Sequence, residues 1–194
     1  MAKSLEASAS IAAEAPVPVD VGGTWRAPAD AAGFASLMRE HQSMVYSLAY
    51  HFLHNRAAAE DLTQDVFLRL YQSLQTIQSP AHLKHWLRQA TSRRCIDLGR
   101  RARLRRFLTL SAAPEPTTEM RLADPAMERL VRSLVAALPP RLRMTLVLRY
   151  QEDLEPAEIA AVLGVPLNTV KSSLRRSLAR LREKLTRQMQ RVST

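Results

Sequence analysis

The chain has 194 residues, and its 28 lysine and arginine side chains against 18 aspartate and glutamate side chains give a formal charge of +10. This excess of positive charge favours a large acidic partner. Only five residues are glycine and aromatic residues make up 5%, which argues against turn-rich β-folds and dinucleotide-binding folds and favours an all-α fold. The single cysteine excludes an intramolecular disulfide and a cysteine-rich metal site.

Charge is arranged in blocks along the chain. Residues 1–32 have a net charge of −2, residues 33–107 of +7, residues 108–125 of −2 and residues 126–194 of +7. The first block lacks hydrophobic periodicity, which predicts a disordered leader. The third block has three prolines and predicts a flexible linker between two small helical domains. Because neither a secretory signal nor a membrane-spanning apolar run is present, we expect a cytoplasmic protein.

The first domain, residues 33–107, is predicted to hold three helices. Apolar residues of the segment 34–52 fall at helical spacing, and those that follow Asn55 recur at steps of four. The third helix has Ser79 as its N-cap and Pro80 in its first turn, and it continues into an arginine-rich run.

The second domain, residues 126–194, is predicted to end in a helix-turn-helix of the winged-helix-like class. Two helices separated by the prolines at 139–140 come first. A short helix then starts at Pro156 and ends at Gly164, after which Pro166 starts a longer helix. A short turn containing glycine between two such helices is typical of this DNA-binding motif.

The last helix has one apolar face and one polar, cationic face. The apolar face consists of Val170, Leu174, Leu178, Leu181 and Leu185. The opposite face carries Asn168, Lys171, Ser172, Arg175 and Arg176. Arginine can bond guanine and asparagine can bond adenine in the major groove, so this face predicts DNA binding. The alternative is a solvated basic face on an ordinary helical hairpin.

The third helix of the first domain is also strongly cationic. Seven of the fourteen residues 93–106 are arginine, which predicts phosphate contacts and leaves a solvated charge run as the alternative. Cations alternate with polar and aromatic side chains just upstream, at Lys84, His85, Trp86, Arg88 and Gln89. This mixture suits unpaired bases held by stacking, although the helical phase of Trp86 favours a place in the core.

The helix before it has an acidic surface inside this basic domain, formed by Glu60, Asp61, Gln64 and Asp65. Carboxylates do not suit a nucleic-acid contact. The surface serves either solubility or the docking of a basic protein partner.

Two long segments resemble a known family. The segment FASLMREHQSMVYSLAYHFLHNRAAAEDLTQDVFLRLYQSL, with HLKHWLRQATSRRCIDLGRR after it, closely resembles the second conserved region of bacterial sigma factors. The segment AALPPRLRMTLVLRYQEDLEPAEIAAVLGVPLNTVKSSLRRSLARLREKL is similar to their fourth region. With only these two regions, the chain resembles an extracytoplasmic-function (group IV) member of the sigma-70 family.

The resemblance implies a subunit that binds core RNA polymerase, recognises two promoter elements and helps to open the duplex, with an anti-sigma protein as a further partner. It implies contacts to the clamp helices of the large polymerase subunit by Asp61, Gln64, Asp65 and Phe67. It implies contacts to the minus-10 element by Gln75, Thr76, Ile77, Gln78, Lys84, His85, Trp86, Arg88, Gln89, Arg93 and Arg94. It implies contacts to the minus-35 element by Asn168, Thr169, Lys171, Ser172, Ser173, Arg175 and Arg176.

Two positions depart from the family pattern. Arg93 stands where the family usually has asparagine, and Ser173 stands where it usually has arginine. The promoter sequence therefore cannot be transferred from another member.

Three other functions compete with this interpretation. A helix-turn-helix activator or repressor would leave the first domain without a role, and a protein that only mimics a sigma factor would not need the arginine clusters. An enzyme is disfavoured because the chain has no glycine-rich phosphate loop. His51 and His54 lack a third ligand, so we predict no catalytic residue, no metal site and no cofactor.

Overall fold

The computed structural model describes residues 28, 30–109 and 125–192, and within these ranges it is helical, without strands. The described ranges contain α1 (Ala31–Leu53), α2 (Arg56–Ser73), α3 (Pro80–Thr109), α4 (Pro125–Ala136), α5 (Pro140–Tyr150), α6 (Pro156–Leu163) and α7 (Leu167–Val192), with a 3₁₀ turn at Leu74–Thr76. The predicted all-α fold is confirmed. Most of the predicted leader and linker lies outside the described residues.

Side chains at the N-termini fix where the first three helices begin. Asp30 accepts a hydrogen bond from the Gly33 backbone N–H at 2.8 Å, and Asn55 accepts one from the Ala58 N–H at 2.9 Å. The Ser79 hydroxyl oxygen does the same for the α3 N-terminus. Each cap satisfies an amide that has no partner inside its helix. The sequence prediction of Ser79 as the N-cap is confirmed.

Helices α1, α2 and α3 pack around one apolar core. The core side chains of α2 are Leu62, Val66, Phe67 and Leu70, and they meet Val45, Leu48 and Phe52 of α1 and Leu83 and Leu87 of α3. This burial leaves the opposite face of α2 at the surface, which is the face that carries the predicted docking residues.

The predicted helix-turn-helix is formed by α6 and α7. Gly164 ends α6 in the left-handed conformation, with φ at 61°, and a Cβ atom there would meet nothing within 4 Å. The backbone angle, not lack of space, therefore favours glycine at this turn. Glu155 and Glu158 form a capping box at the start of α6, which fixes the entry into the motif.

The apolar face of α7 differs from the predicted one. Val170 is buried as predicted, but Leu178 is exposed and Ser177 is buried in its place. The Ser177 hydroxyl donates to the Ser173 carbonyl oxygen at 2.8 Å, so its burial leaves no unsatisfied hydroxyl. The step-of-four pattern predicts one straight buried stripe, whereas α7 packs against three helices, α4, α5 and α6.

The two domains also pack on each other, which the sequence did not indicate. Helix α5 lies against α1 and α3, and α6 lies against α3. Buried side chains of both domains, including Phe52 and Met144, belong to one continuous apolar cluster.

Candidate nucleic-acid and protein interfaces

The outer face of α2 carries the predicted protein-docking residues. Asp61 and Gln64 are exposed. Asp65 is partly exposed, and its carboxylate accepts a hydrogen bond from the Arg94 guanidinium of α3 at 2.6 Å. The acidic surface is therefore joined by an ion pair to the cationic helix beside it.

Phe67 does not lie on this surface. Its side chain is 2% exposed and belongs to the core between the first three helices. The predicted contact of Phe67 with a partner therefore has to be corrected to a supporting role, because the ring holds α2 in place from below. At 3.6 residues per turn, the six residues from Asp61 to Phe67 place Phe67 about 120° away from Asp61 around the helix, on the side that packs in the core.

Two apolar side chains that the sequence analysis did not select lie on the docking face. Leu68 is 59% exposed and Tyr71 is 61% exposed. Gln64 follows Asp61 by three residues, Leu68 follows Gln64 by four and Tyr71 follows Leu68 by three, which places all four side chains on one stripe. The Tyr71 ring makes an edge contact with Phe34 of α1, with 5.1 Å between centroids. The same spacing rule, applied to apolar as well as acidic residues, would have found them.

The segment between α2 and α3 exposes polar side chains and is held to the core by one buried apolar side chain. Gln75, Thr76 and Gln78 are exposed, whereas Ile77 is buried in the core. The Gln78 backbone N–H donates to Nδ1 of His82, and the Thr76 hydroxyl donates to the Ser73 carbonyl oxygen. The prediction that Ile77 contacts DNA is therefore corrected: its side chain fixes the loop and does not reach the surface.

The first half of α3 presents cations beside half-buried side chains. Lys84 and Arg93 are exposed, and Trp86 packs partly against the core, in agreement with its helical phase. Arg88 is only 16% exposed because its Nε donates to Glu152 of the second domain at 3.1 Å. His85 and Gln89 are also half-buried.

Beyond Arg94, α3 continues as a cationic helix. Its exposed side chains there include Arg100, Arg101, Arg103 and Arg105. Asp97 makes a loose ion pair with Arg100 at 3.7 Å. A helix that keeps several arginines at the surface suits contact with a phosphate backbone.

The N-terminal half of α7 displays the predicted major-groove residues. Asn168, Thr169, Lys171, Arg175 and Arg176 are exposed, and Ser172 and Ser173 are half-buried. The Arg176 guanidinium donates to the Ser172 hydroxyl oxygen at 2.9 Å and to its carbonyl oxygen at 3.2 Å. These two hydrogen bonds hold the Arg176 side chain along the surface of α7.

Two further buried groups, Cys95 and His54, have shifted pKa values. Burial raises the pKa of the Cys95 thiol above its ordinary value, so the thiol stays protonated. Burial, followed by the charges of Arg132, Arg143 and His51, lowers the pKa of His54 to about 4. The described part of the chain contains no cluster of three potential metal ligands.

Residues 37–105 match the family Sigma-70 region 2, and residues 128–181 match the family Sigma-70, region 4. The ECF RNA polymerase sigma factor SigL of Mycobacterium tuberculosis is 30% identical over 161 residues, which cover 80% of this chain and 90% of that protein. The chain belongs to the sigma-70 family. The predicted extracytoplasmic-function (ECF) group is confirmed by relatives that carry this name.

A second ECF sigma factor, SigE of Mycolicibacterium smegmatis, is 35% identical over 160 residues, or 78% of this chain. The chain spans 61% of the length of SigE. The sigma factor RpoE of Bartonella quintana, solved in complex with the anti-sigma factor NepR, has the same fold with a TM-score of 0.61 and 20% identity. That match covers 79% of this chain and 96% of RpoE.

Both halves of the described chain thus match sigma-70 regions, and the relatives offer no support for a separate activator or repressor. Among the described helices, none combines the length and the apolar character that crossing a membrane requires.

Proposed function

We propose that this sigma factor binds core RNA polymerase through α2 and directs it to promoters through α3 and α7. One observation carries the proposal: an exposed acidic and apolar face and two exposed cationic helices occur on the two domains that match sigma regions 2 and 4. The proposed domains are residues 33–107 and 126–194, with 1–32 and 108–125 as leader and linker.

Core polymerase docks on the stripe of α2 formed by Asp61, Gln64, Asp65, Leu68 and Tyr71. Carboxylates at the rim steer a basic partner, and the two exposed apolar side chains lose water on contact. The partner surface is the pair of clamp helices of the large subunit, as the family resemblance implies. Phe67 supports the stripe from the core.

The minus-10 element binds the loop at residues 75–78 and the first half of α3. Extruding a base from the duplex costs a few kcal/mol, and polar side chains on a loop anchored by Ile77 offer a rigid place to receive it. Lys84 and Arg93, with Arg88 and Arg94 once their carboxylate partners are displaced, supply phosphate contacts.

The minus-35 element binds the exposed face of α7. Asn168, Lys171 and Arg175 provide hydrogen-bond donors near the N-terminal end of the helix, where a recognition helix meets base edges. Thr169 and Arg176 flank them on the same face, and Ser172 holds the Arg176 guanidinium.

We infer that this chain catalyses no reaction itself. It acts in the cytoplasm, where polymerase and DNA are. The structural relative RpoE is bound by an anti-sigma factor, and we propose a regulator of this class for the chain as well.

Reconstitution tests the function. The purified chain and core polymerase together should start RNA synthesis at specific sites on the genomic DNA of the source organism, and neither alone should do so. A chain that binds DNA but never associates with core polymerase would refute the proposal.

Charge reversal tests the docking stripe. The double variant Asp61→Lys with Asp65→Lys should weaken core binding by about tenfold or more, since close charge pairs at interfaces couple by about 1.5 kcal/mol or more. The control Asp153→Lys changes an almost fully exposed carboxylate of the second domain and should leave the affinity unchanged. Unchanged affinity in the double variant would remove these carboxylates from the interface.

A further inference from the structure

A cavity lies where the end of α1 meets α4, α5 and α7. Its volume is about 440 Å³, which is within the range of roughly 300–1,000 Å³ that small-molecule sites in proteins occupy. Apolar side chains form most of its wall: Val131 and Val135 of α4, Leu146 and Val147 of α5, and Leu181 of α7. None of the described residues that line it belongs to the proposed polymerase or DNA contacts, so the proposed function leaves this cavity unused.

The cavity gathers exposed apolar side chains. Met127, Val131, Tyr150 and Leu178 line it, and each is at least 40% exposed. These four are half of the eight large apolar side chains that the described residues expose. Apolar exposure that is concentrated at one concave place is typical of a binding site, whereas single exposed apolar residues are scattered over most protein surfaces.

One side of the cavity is cationic. Arg132 of α4 lines it together with His51 and His54 at the end of α1. Burial lowers the pKa of both histidines, and the charge of Arg132 lowers it further, so the field of this arginine reaches the end of α1. No aspartate or glutamate is among the described lining residues. A ligand with a negative head group therefore meets a complementary charge here.

His54 brings a polar atom to the same side of the cavity. It ends α1 in the left-handed conformation, and its backbone N–H donates to the Tyr50 carbonyl oxygen at 2.7 Å, which fixes where its side chain starts. Nε2 of its ring is buried and has no hydrogen-bond partner within the described part of the chain. Such a nitrogen is rare in folded proteins. A ligand oxygen, or a water that enters with the ligand, would give it a partner.

We propose that this cavity binds a small amphiphilic carboxylate, with its apolar tail against α4, α5 and α7 and its head group towards Arg132 and the end of α1. The tail covers apolar side chains that are now in contact with water, such as Val131 and Leu178. The head group meets a guanidinium, which binds carboxylates well. A cationic ligand would be repelled by Arg132, and a neutral one would gain little from its charge.

Calorimetric titration of the full chain with three probes of equal tail length tests the ligand class. The probes are decanoate, decanol and decyltrimethylammonium, each below the concentration at which it forms micelles. Decanoate should bind at one site per chain and about tenfold or more tightly than decanol, because a hydrogen bond to a charged group contributes about this factor. Decyltrimethylammonium should bind more weakly than either. Absence of saturable decanoate binding, or equal affinity for the anion and the cation, would overturn the proposal.

Leu178→Asp tests the apolar wall. It replaces an exposed leucine of the cavity by a carboxylate, which should lower decanoate affinity by about tenfold or more because like charges then lie side by side. The matched control is Leu104→Asp, the same change at an exposed leucine of α3 outside the cavity. Circular dichroism should show that both variants keep their helices. An equal loss of affinity in both variants would show that decanoate binds elsewhere.

Arg132→Gln tests the head group without changing the apolar wall. Decanoate affinity should fall by about fivefold or more, while decanol affinity should stay at the parental value. The matched control is Arg129→Gln, which removes the same charge three residues earlier on α4, at an exposed side chain that does not line the cavity. It should leave both affinities unchanged. If Arg132→Gln weakened both probes equally, or neither, the arginine would not hold the carboxylate and the assignment of an anion would be overturned.

Methyl NMR spectra of the labelled full chain locate the bound probe. Decanoate should shift the methyl signals of Val131, Val135 and Leu178 and leave those of Leu68 on α2 unchanged. Shifts confined to Leu68 would place the probe on the docking stripe and overturn the proposal. Sedimentation of the free chain gives a further check, because a dimer that Leu178→Asp dissociates would assign the cavity to a second copy of the chain instead. These measurements use no polymerase or promoter, so a failure of the proposed function would not affect them.

Discussion

The placement of Phe67 leads to a sharp prediction, because a surface contact and a core side chain respond differently to truncation. Phe67→Ala removes a ring that is 2% exposed. Truncation of a buried phenylalanine to alanine costs about 3–5 kcal/mol, which is a large part of the ~5–15 kcal/mol that stabilises a typical domain. We therefore expect a much lower urea midpoint for Phe67→Ala.

Tyr71→Ala is the matched comparison on the same helix. Tyr71 is 61% exposed, and its loss removes mainly an edge contact worth about 0.5–1.5 kcal/mol. Its unfolding free energy should fall by no more than this amount, while its affinity for core polymerase should fall by at least about fivefold, the effect of losing ~1 kcal/mol at an interface.

Urea denaturation followed by circular dichroism gives the stability of both variants, and fluorescence titration gives their affinity for core polymerase. The opposite pattern would refute the reasoning. If Phe67→Ala kept its urea midpoint but lost core binding, Phe67 would be a contact residue and α2 would have to be rotated relative to its present position.

Two further predictions concern DNA and pH. Arg175→Ala should lower promoter affinity of the holoenzyme and reduce the slope of log affinity against log salt by about 1; an unchanged slope would argue against a phosphate contact there. Burial, followed by the charges of Arg132, Arg143 and His51, lowers the pKa of His54 from 6.5 to about 4 in the folded chain. The unfolded chain binds the proton more readily, so the free energy of unfolding should fall as the pH falls from about 6.5 towards 4, by up to about 3 kcal/mol at ~1.4 kcal/mol per pKa unit. Urea denaturation at several pH values measures this, and a His54→Gln variant with the same pH dependence as the parent would show that His54 is not the group responsible.

Much of the fold followed from local signals in the sequence. Ser79 and Pro80 mark the start of α3, and Gly164 marks the turn of the helix-turn-helix, because each of these residues satisfies a requirement of the backbone at that point. The buried stripe of α2 followed from its step of four. These features depend on neighbours a few residues away, which a sequence displays directly.

The features that were wrong or absent depend on distant contacts. The family resemblance predicts contacts for Phe67 and Ile77 because it carries positions, not side-chain directions, whereas both side chains are buried. The packing of α5 on α1 through Arg143 joins residues 91 positions apart. A charge pattern that showed two basic blocks with a proline-rich connector gave no sign that these blocks share a core.

The burial of Cys95 has a consequence for the signals to which this sigma factor can respond. It is the only cysteine in the chain, its side chain is 0% exposed, and the raised pKa removes the reactive thiolate. Peroxide and disulfide reagents react with accessible thiolates. In the folded state this chain therefore offers them no cysteine target, and a thiol-based oxidative signal that controls it has to be detected by another molecule.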